Sequence, residues 1–136
     1  MCDMKTLKAG IAAGVAMLIV YFAVNMIVMA VAPYDILSLG GMRSATDPLM
    51  MLFFLHPFVL GLVFAYTYKY INKSLKGNSA AKGREYGMLM WLVYTVPSAF
   101  VVLTSMDYPI VFTVQQIAGG WVMMLAGGIV IAKMLK

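Results

Sequence analysis

The sequence predicts an all-α integral membrane protein with four transmembrane helices in an antiparallel bundle. Of its 136 residues, 63% are hydrophobic and 11% are charged, whereas soluble domains are about 45 to 50% apolar. Four apolar runs are each long enough to cross a hydrocarbon core of roughly 30 Å. Because these runs use nearly the whole chain, we expect one transmembrane domain, 1–136, with no separate soluble domain.

The first predicted helix covers 7–32 and follows a short basic amino terminus. A cleaved signal peptide is the alternative, since Ala30 and Ala32 form a small-residue cleavage pattern. However, the run is much longer than the roughly 7 to 15 apolar residues of a signal peptide, and Pro33 would directly follow the cut. We therefore expect a retained helix. The single cysteine, Cys2, is expected to be a reduced, unpaired thiol.

The second predicted helix covers 48–71 and follows an outer loop, 33–47, that contains a Gly-Gly pair. Asp47 suits the position before a helix, and Pro48 suits its first turn, where amide groups lack partners. Tyrosines alternate with other residues near the far end of this helix, as is typical of a membrane interface. The remaining predicted segments are a cytoplasmic loop at 72–83, a third helix at 84–105, a short outer loop at 106–108 and a fourth helix at 109–134.

The distribution of basic residues predicts the orientation. Of the 10 Lys and Arg residues, all except Arg43 lie at the termini or near the 72–83 loop. Since cytoplasmic loops carry an excess of Lys and Arg, both termini are predicted to be cytoplasmic, in a prokaryotic cytoplasmic membrane. The net charge of +5 therefore reflects topology, and we expect contact with the lipid bilayer and not with nucleic acid.

The first and third predicted helices resemble each other. A shift of 73 positions aligns six identical pairs: Gly10 and Gly83, Gly14 and Gly87, Met17 and Met90, Val20 and Val93, Tyr21 and Tyr94, Val28 and Val101. This favours a duplicated helical hairpin in a parallel 2+2 repeat, although similar composition could also produce the match. Glycines spaced four apart let helix backbones approach closely. The glycines predicted to pack helices are Gly10, Gly14, Gly83, Gly87, Gly120 and Gly127.

Polar residues occur at similar depth, counted from the outer ends, on all four predicted helices. Together with Tyr94, these residues are the candidate ligand-binding set: Asn25, His56, Tyr94, Ser98, Gln115 and Gln116. Polar groups at membrane depth usually face protein or water, so these residues could line a pocket in the outer half of the membrane. Hydrogen bonding between helices would also satisfy them. Both interpretations remain open from the sequence.

The residues do not identify a cofactor or a catalytic set. His56 is the only histidine and Cys2 the only cysteine, so a zinc site with four ligands is not expected. Copper(I) bound by His56 and methionines, haem and a quinone each have only weak support. The acidic residues lie at helix ends or in loops, and no phosphate-binding glycine loop is present. We expect no enzymatic activity.

Two functions follow from these observations. The first is a non-enzymatic homo-oligomer, or an accessory subunit that packs against other membrane subunits. The alternative is a protein that binds or transports a small ligand or ion in a pocket around His56.

Overall fold

A computed structural model describes residues 3–136, so Cys2 lies outside the described part. The chain is all-helical. Its helices are α1 (Met4–Val31), α2 (His56–Ile71), α3 (Ser79–Met90), α4 (Val96–Ser105) and α5 (Ile110–Met134). Four helical stretches within residues 3–136 are long and apolar enough to span a membrane: Met4–Val31, Pro48–Ile71, Ser79–Ser105 and Ile110–Met134. The prediction of four such helices is confirmed.

Side-chain caps set where α1 and α3 begin. The Thr6 amide donates to Oδ1 of Asp3 at 2.7 Å, and the Ala81 amide donates to the side-chain oxygen of Asn78 at 2.9 Å. Each bond satisfies one amide that the first helical turn leaves unpaired. As a result, α1 begins before residue 7. The third helix begins at Ser79 and not at 84, so it includes part of the predicted 72–83 loop.

The second spanning stretch changes helix type at a proline. Pro48–Leu55 is a 3-10 helix, capped by Asp47 through the Leu49 amide, and α2 follows it. Pro57 has no amide to donate to the Phe53 carbonyl. That carbonyl instead accepts from the His56 amide, three residues later.

A proline also interrupts the third spanning stretch. Between α3 and α4, the segment Trp91–Thr95 forms a π-helical turn in which the Val96 amide donates to the Trp91 carbonyl. Pro97 cannot donate to the carbonyl four residues before it, and its ring crowds that carbonyl. The widened turn accommodates this crowding, so the predicted helix 84–105 is not a continuous α-helix.

Close backbone contacts join α1 to α2. A Cβ added at Gly10 would lie 2.8 Å from Leu62 Cα, and one added at Gly14 would lie 2.8 Å from Phe58 Cα. The opposing residue, Gly61, faces the backbone of both α1 glycines. As the chain advances along α1, its contacts move backwards along α2.

Equivalent contacts join α3 to α5. A Cβ at Gly83 would lie 2.5 Å from Ile129 Cα, and one at Gly87 would lie 2.8 Å from Leu125 Cα. Gly128 lies opposite Gly83 and Gly87, just as Gly61 lies opposite Gly10 and Gly14. The two helix pairs therefore share one packing geometry.

The two pairs meet mainly between α1 and α5. Gly127 lies against the fully buried Met17, and a Cβ at Gly120 would lie 2.6 Å from Cγ2 of Thr95. All six glycines predicted to pack helices thus lie at close contacts within this one chain.

The side of the fold between α2 and the third spanning stretch is packed differently. Within residues 3–136, α2 makes no extensive close approach of backbones to α3 or α4. Side chains bridge this gap: Tyr86, which is fully buried, donates to the Phe64 carbonyl at 2.8 Å and contacts the Thr67 hydroxyl. The gap is thus closed by side chains and not by packed helix backbones.

Polar contacts connect helix ends that are distant in sequence. Lys69 Nζ lies 2.8 Å from Oδ2 of Asp3, and Lys82 Nζ donates to the Asn72 carbonyl at 3.2 Å. The start of α1, the end of α2 and the start of α3 therefore lie at one end of the molecule.

Candidate functional site

A cavity of about 260 Å³ lies between the helices, on the side away from the Asp3–Lys69 ion pair. Side chains from α1, α2, the π turn, α4 and α5 line it, together with Tyr34 and part of the 3-10 helix before α2. The structure brings all six predicted ligand-binding residues into this lining: Asn25, His56, Tyr94, Ser98, Gln115 and Gln116. Their role in binding stays a prediction.

One group of polar residues is connected by two hydrogen bonds. The Tyr34 hydroxyl donates to Oε1 of Gln115 at 2.6 Å, and Nε2 of Gln115 donates to Oδ1 of Asn25 at 3.3 Å. Burial raises the pKa of the Tyr34 hydroxyl, which keeps it protonated as a donor. These two bonds connect α1 and Tyr34 to α5, as expected if they fix the packing of the helices.

The second group leaves polar atoms unpaired. Gln116 Nε2 donates to the Ser98 hydroxyl at 3.1 Å, but Gln116 Oε1 is buried and has no hydrogen-bond partner within residues 3–136. Whichever way the amide is oriented, one of its two polar atoms lacks a partner. The hydroxyl of Thr95, a residue only 4% exposed, also has none within the described chain. A buried unpaired polar group costs about 1 to 3 kcal/mol. Both atoms have almost no accessible surface, so a partner in the cavity reaches them only when the side chains that cover them move.

His56 and Tyr94 span the gap between α2 and the π turn. His56 Nε2 lies 3.1 Å from the Tyr94 hydroxyl oxygen, and we call this contact the His56–Tyr94 bridge. Both residues are exposed on the protein surface, and the Phe53 ring stacks on the imidazole with centroids 6.3 Å apart. Helix backbones do not pack there, so these two side chains form that side of the cavity lining.

The cavity carries no formal charge apart from what His56 can acquire. Its lining includes no Asp, Glu, Lys or Arg. Within residues 3–136, no group of three or more His, Cys, Asp or Glu side chains could hold a metal ion. The rest of the lining is mainly apolar, with aromatic, methionine and aliphatic side chains. This combination is typical of sites for small organic molecules.

No protein-family model, curated protein or solved structure matches this chain. Its function is therefore inferred from the geometry of the cavity and from the contacts around it.

Some polar residues of the cavity are aligned with one another by the shift of 73 positions that relates α1 to the third spanning stretch. This shift pairs Asn25 with Ser98, and Tyr21 with Tyr94. Consecutive glutamines of α5 donate to Asn25 and Ser98, respectively. The shift therefore relates two polar positions of the cavity on α1 to two on the third spanning stretch.

Sequence reasoning missed several residues of the lining. Tyr34 was assigned only to the outer loop, and its bond to α5 could not be inferred from a neighbouring position. Thr95 is ordinary in a helix sequence, because its hydroxyl normally bonds to the carbonyl of the preceding turn. The π turn changes that geometry. Pro97 was the one signal in the sequence that an irregular turn lies there.

Proposed function

We propose that this protein binds a small molecule in the cavity between its four spanning helices. The observation that supports this best is an uncharged, largely apolar cavity whose lining includes Gln116 and Thr95, each with a buried polar atom that has no hydrogen-bond partner in the described chain. Hydrogen bonding between helices would account for Asn25 and Gln115. It does not account for a wall whose hydrogen-bonding capacity is unused.

The proposal includes an arrangement in the membrane: an antiparallel four-helix bundle with both termini cytoplasmic, in a prokaryotic cytoplasmic membrane. The ion pair between Asp3 and Lys69 supports it, since it joins two ends that the excess of Lys and Arg predicts to be cytoplasmic. Arg43, which pairs with Asp47 at 2.9 Å, would lie outside. The cavity then opens in the outer half of the membrane.

We further infer that the bundle is a duplicated hairpin. The contact of Gly10 with Leu62 corresponds to that of Gly83 with Ile129. This correspondence requires a shift of 67 positions between α2 and α5. At that shift four residues are identical: Gly61 and Gly128, Val63 and Val130, Ala65 and Ala132, Lys69 and Lys136. A parallel 2+2 repeat explains why the two helix pairs share one geometry.

The alternative function, a homo-oligomer or accessory subunit, stays a prediction with less support. It was based on the glycine faces, which would let helices of different chains approach closely. In the structure these glycines contact α2, α5, Thr95 or Met17 of the same chain. They are therefore not available for a second chain without repacking.

Native mass spectrometry of the protein extracted from its own membrane tests the proposal. We expect a defined additional mass on the wild type, and its loss from Ser98→Phe, which fills the cavity. Thr104→Val is the matched control, since Thr104 lies on the same helix and its hydroxyl donates only to carbonyls of the preceding helical turn. Stoichiometric partner chains, with no small mass that depends on residue 98, would instead support the accessory subunit.

A further inference from the structure

We propose that the ligand is an uncharged amphiphile with an apolar body and a hydroxyl group that donates a hydrogen bond to Gln116 Oε1. This inference rests on the proposed binding function and specifies its ligand. It follows from the charge, the unused hydrogen bonds and the size of the cavity, together with the side from which the cavity can open.

The charge of the lining excludes an ionic head group. No Asp, Glu, Lys or Arg side chain lines the cavity, and an ion buried without a partner is very costly. The amide groups of Gln115 and Gln116 are dipoles, and they carry no charge that could neutralise an ion. A phosphate, carboxylate or ammonium group would therefore be unstable here, whereas a neutral polar group would not.

The unpaired atoms specify a group that both donates and accepts. In the orientation shown, Gln116 Oε1 is an acceptor only and requires an O–H or N–H donor; with the amide flipped, the unpaired atom is Nε2, which requires an acceptor. The Thr95 hydroxyl can donate to the same group in return. Both residues line the cavity, but the two atoms have almost no accessible surface, so the ligand hydroxyl reaches them by displacing the side chains that cover them. A hydroxyl is the smallest group that satisfies both.

The volume and the open side restrict the body of the ligand. About 260 Å³ is below the roughly 300 to 1,000 Å³ of typical sites for drug-sized ligands, so a single short chain or ring fits and a two-chain phospholipid does not. The His56–Tyr94 bridge covers the side where α2 and the π turn are not packed together. In a membrane that side faces lipid, so an apolar molecule dissolved in the bilayer has direct access.

The test uses the fact that the chain has 1 histidine, whose imidazole NMR signal needs no assignment. Purified protein in detergent micelles is titrated with decanol, decane or decanoate, which share a similar chain length and differ in the head group. We expect decanol to shift the His56 signal saturably. Decane and decanoate should bind at least about tenfold more weakly, since each leaves Gln116 Oε1 without its donor.

Two variants test whether decanol is preferred because it binds to the side chains of Gln116 and Thr95. Gln116→Leu should weaken decanol binding about tenfold, and Thr95→Val should weaken it in the same direction, while Thr104→Val leaves it unchanged. Ser98→Phe, with a filled cavity, controls for effects of the micelle. Circular dichroism establishes that each variant is folded.

The outcomes separate this inference from the proposed function. If decane or decanoate binds as tightly as decanol, or if Gln116→Leu and Thr95→Val both bind decanol normally, the ligand class is wrong but the binding function stands. If none of the three probes shifts the signal, the ligand class is also wrong, and water fills the space beside Gln116. The binding function is judged separately by the additional mass on protein from the native membrane.

Discussion

Replacing Gly61 by alanine puts a methyl group where the backbone of α1 lies. The added Cβ would be 2.7 Å from the Gly14 nitrogen and would also contact the Gly10 carbonyl oxygen. Both are backbone atoms, so relief requires moving α1 and α2 apart. Overpacking of this kind costs about 1 to 3 kcal/mol, and the better helix propensity of alanine offsets up to about 1 kcal/mol. Because both neighbours are backbone atoms, the upper end of the overpacking range applies, and we expect a net loss of about 2 kcal/mol.

Reversible unfolding in mixed micelles, followed by circular dichroism during titration with a denaturing detergent, measures this loss. Gly40→Ala is the control, because a Cβ at Gly40 would meet nothing within 4 Å. If α1–α2 and α3–α5 are copies of one hairpin, Gly128→Ala should cost the same as Gly61→Ala to within about 1 kcal/mol. A Gly61→Ala protein as stable as the wild type would refute the close approach of α1 and α2.

Three further changes test other contacts. Tyr86→Phe removes the bond to the Phe64 carbonyl and should lower the free energy of unfolding by about 1 kcal/mol, in the same detergent titration. Bonds from Lys69 and the neighbouring backbone lower the pKa of Asp3, so its carboxylate stabilises the fold above the unfolded pKa and loses this effect at lower pH. Thermal unfolding should therefore show that wild type loses more stability than Asp3→Asn as the pH falls below about 4. Tyr94→Phe removes one partner of the His56–Tyr94 bridge and should speed both binding and release of decanol several-fold, measured by NMR exchange, with the dissociation constant changed less than about threefold.

Each of these has a contradicting result. Tyr108→Phe is the control for position 86, since the Tyr108 hydroxyl makes no hydrogen bond in the described chain, and equal losses from the two would exclude a specific role for the Tyr86 bond. Parallel pH profiles for wild type and Asp3→Asn would show that the ion pair does not stabilise the fold. Unchanged exchange rates in Tyr94→Phe would mean that the bridge does not control access to the cavity.

The helices were predictable because hydropathy over about 20 residues depends on local composition alone. The glycine positions were predictable in part, since the four-residue spacing of Gly10 and Gly14 marks a close helix contact on one face. Their partners Gly61 and Gly128 were not predicted, because each is a single small residue on the opposing helix and leaves no spacing pattern.

The hydrogen-bond partners in the cavity could not be predicted from the sequence. Equal depth along the helices identified the polar residues, but depth does not tell which side chains satisfy one another. Gln115 and Gln116 are adjacent in the sequence and equally polar. Both polar atoms of Gln115 are hydrogen-bonded, to Tyr34 and Asn25, whereas Oε1 of Gln116 has no partner in the described chain. That difference depends on contacts between distant parts of the chain and cannot be deduced from the order of residues.

The most direct test of the binding function is a crystal structure of the protein grown from a lipidic mesophase, without added ligand. We expect non-protein density in the cavity, continuous with the apolar wall and ending within hydrogen-bond distance of Gln116 Oε1 and the Thr95 hydroxyl. A cavity that is closed by the side chains of α2 and α4, with a protein donor bound to Gln116 Oε1, would contradict the account. Its polar residues would then serve only to pack the helices.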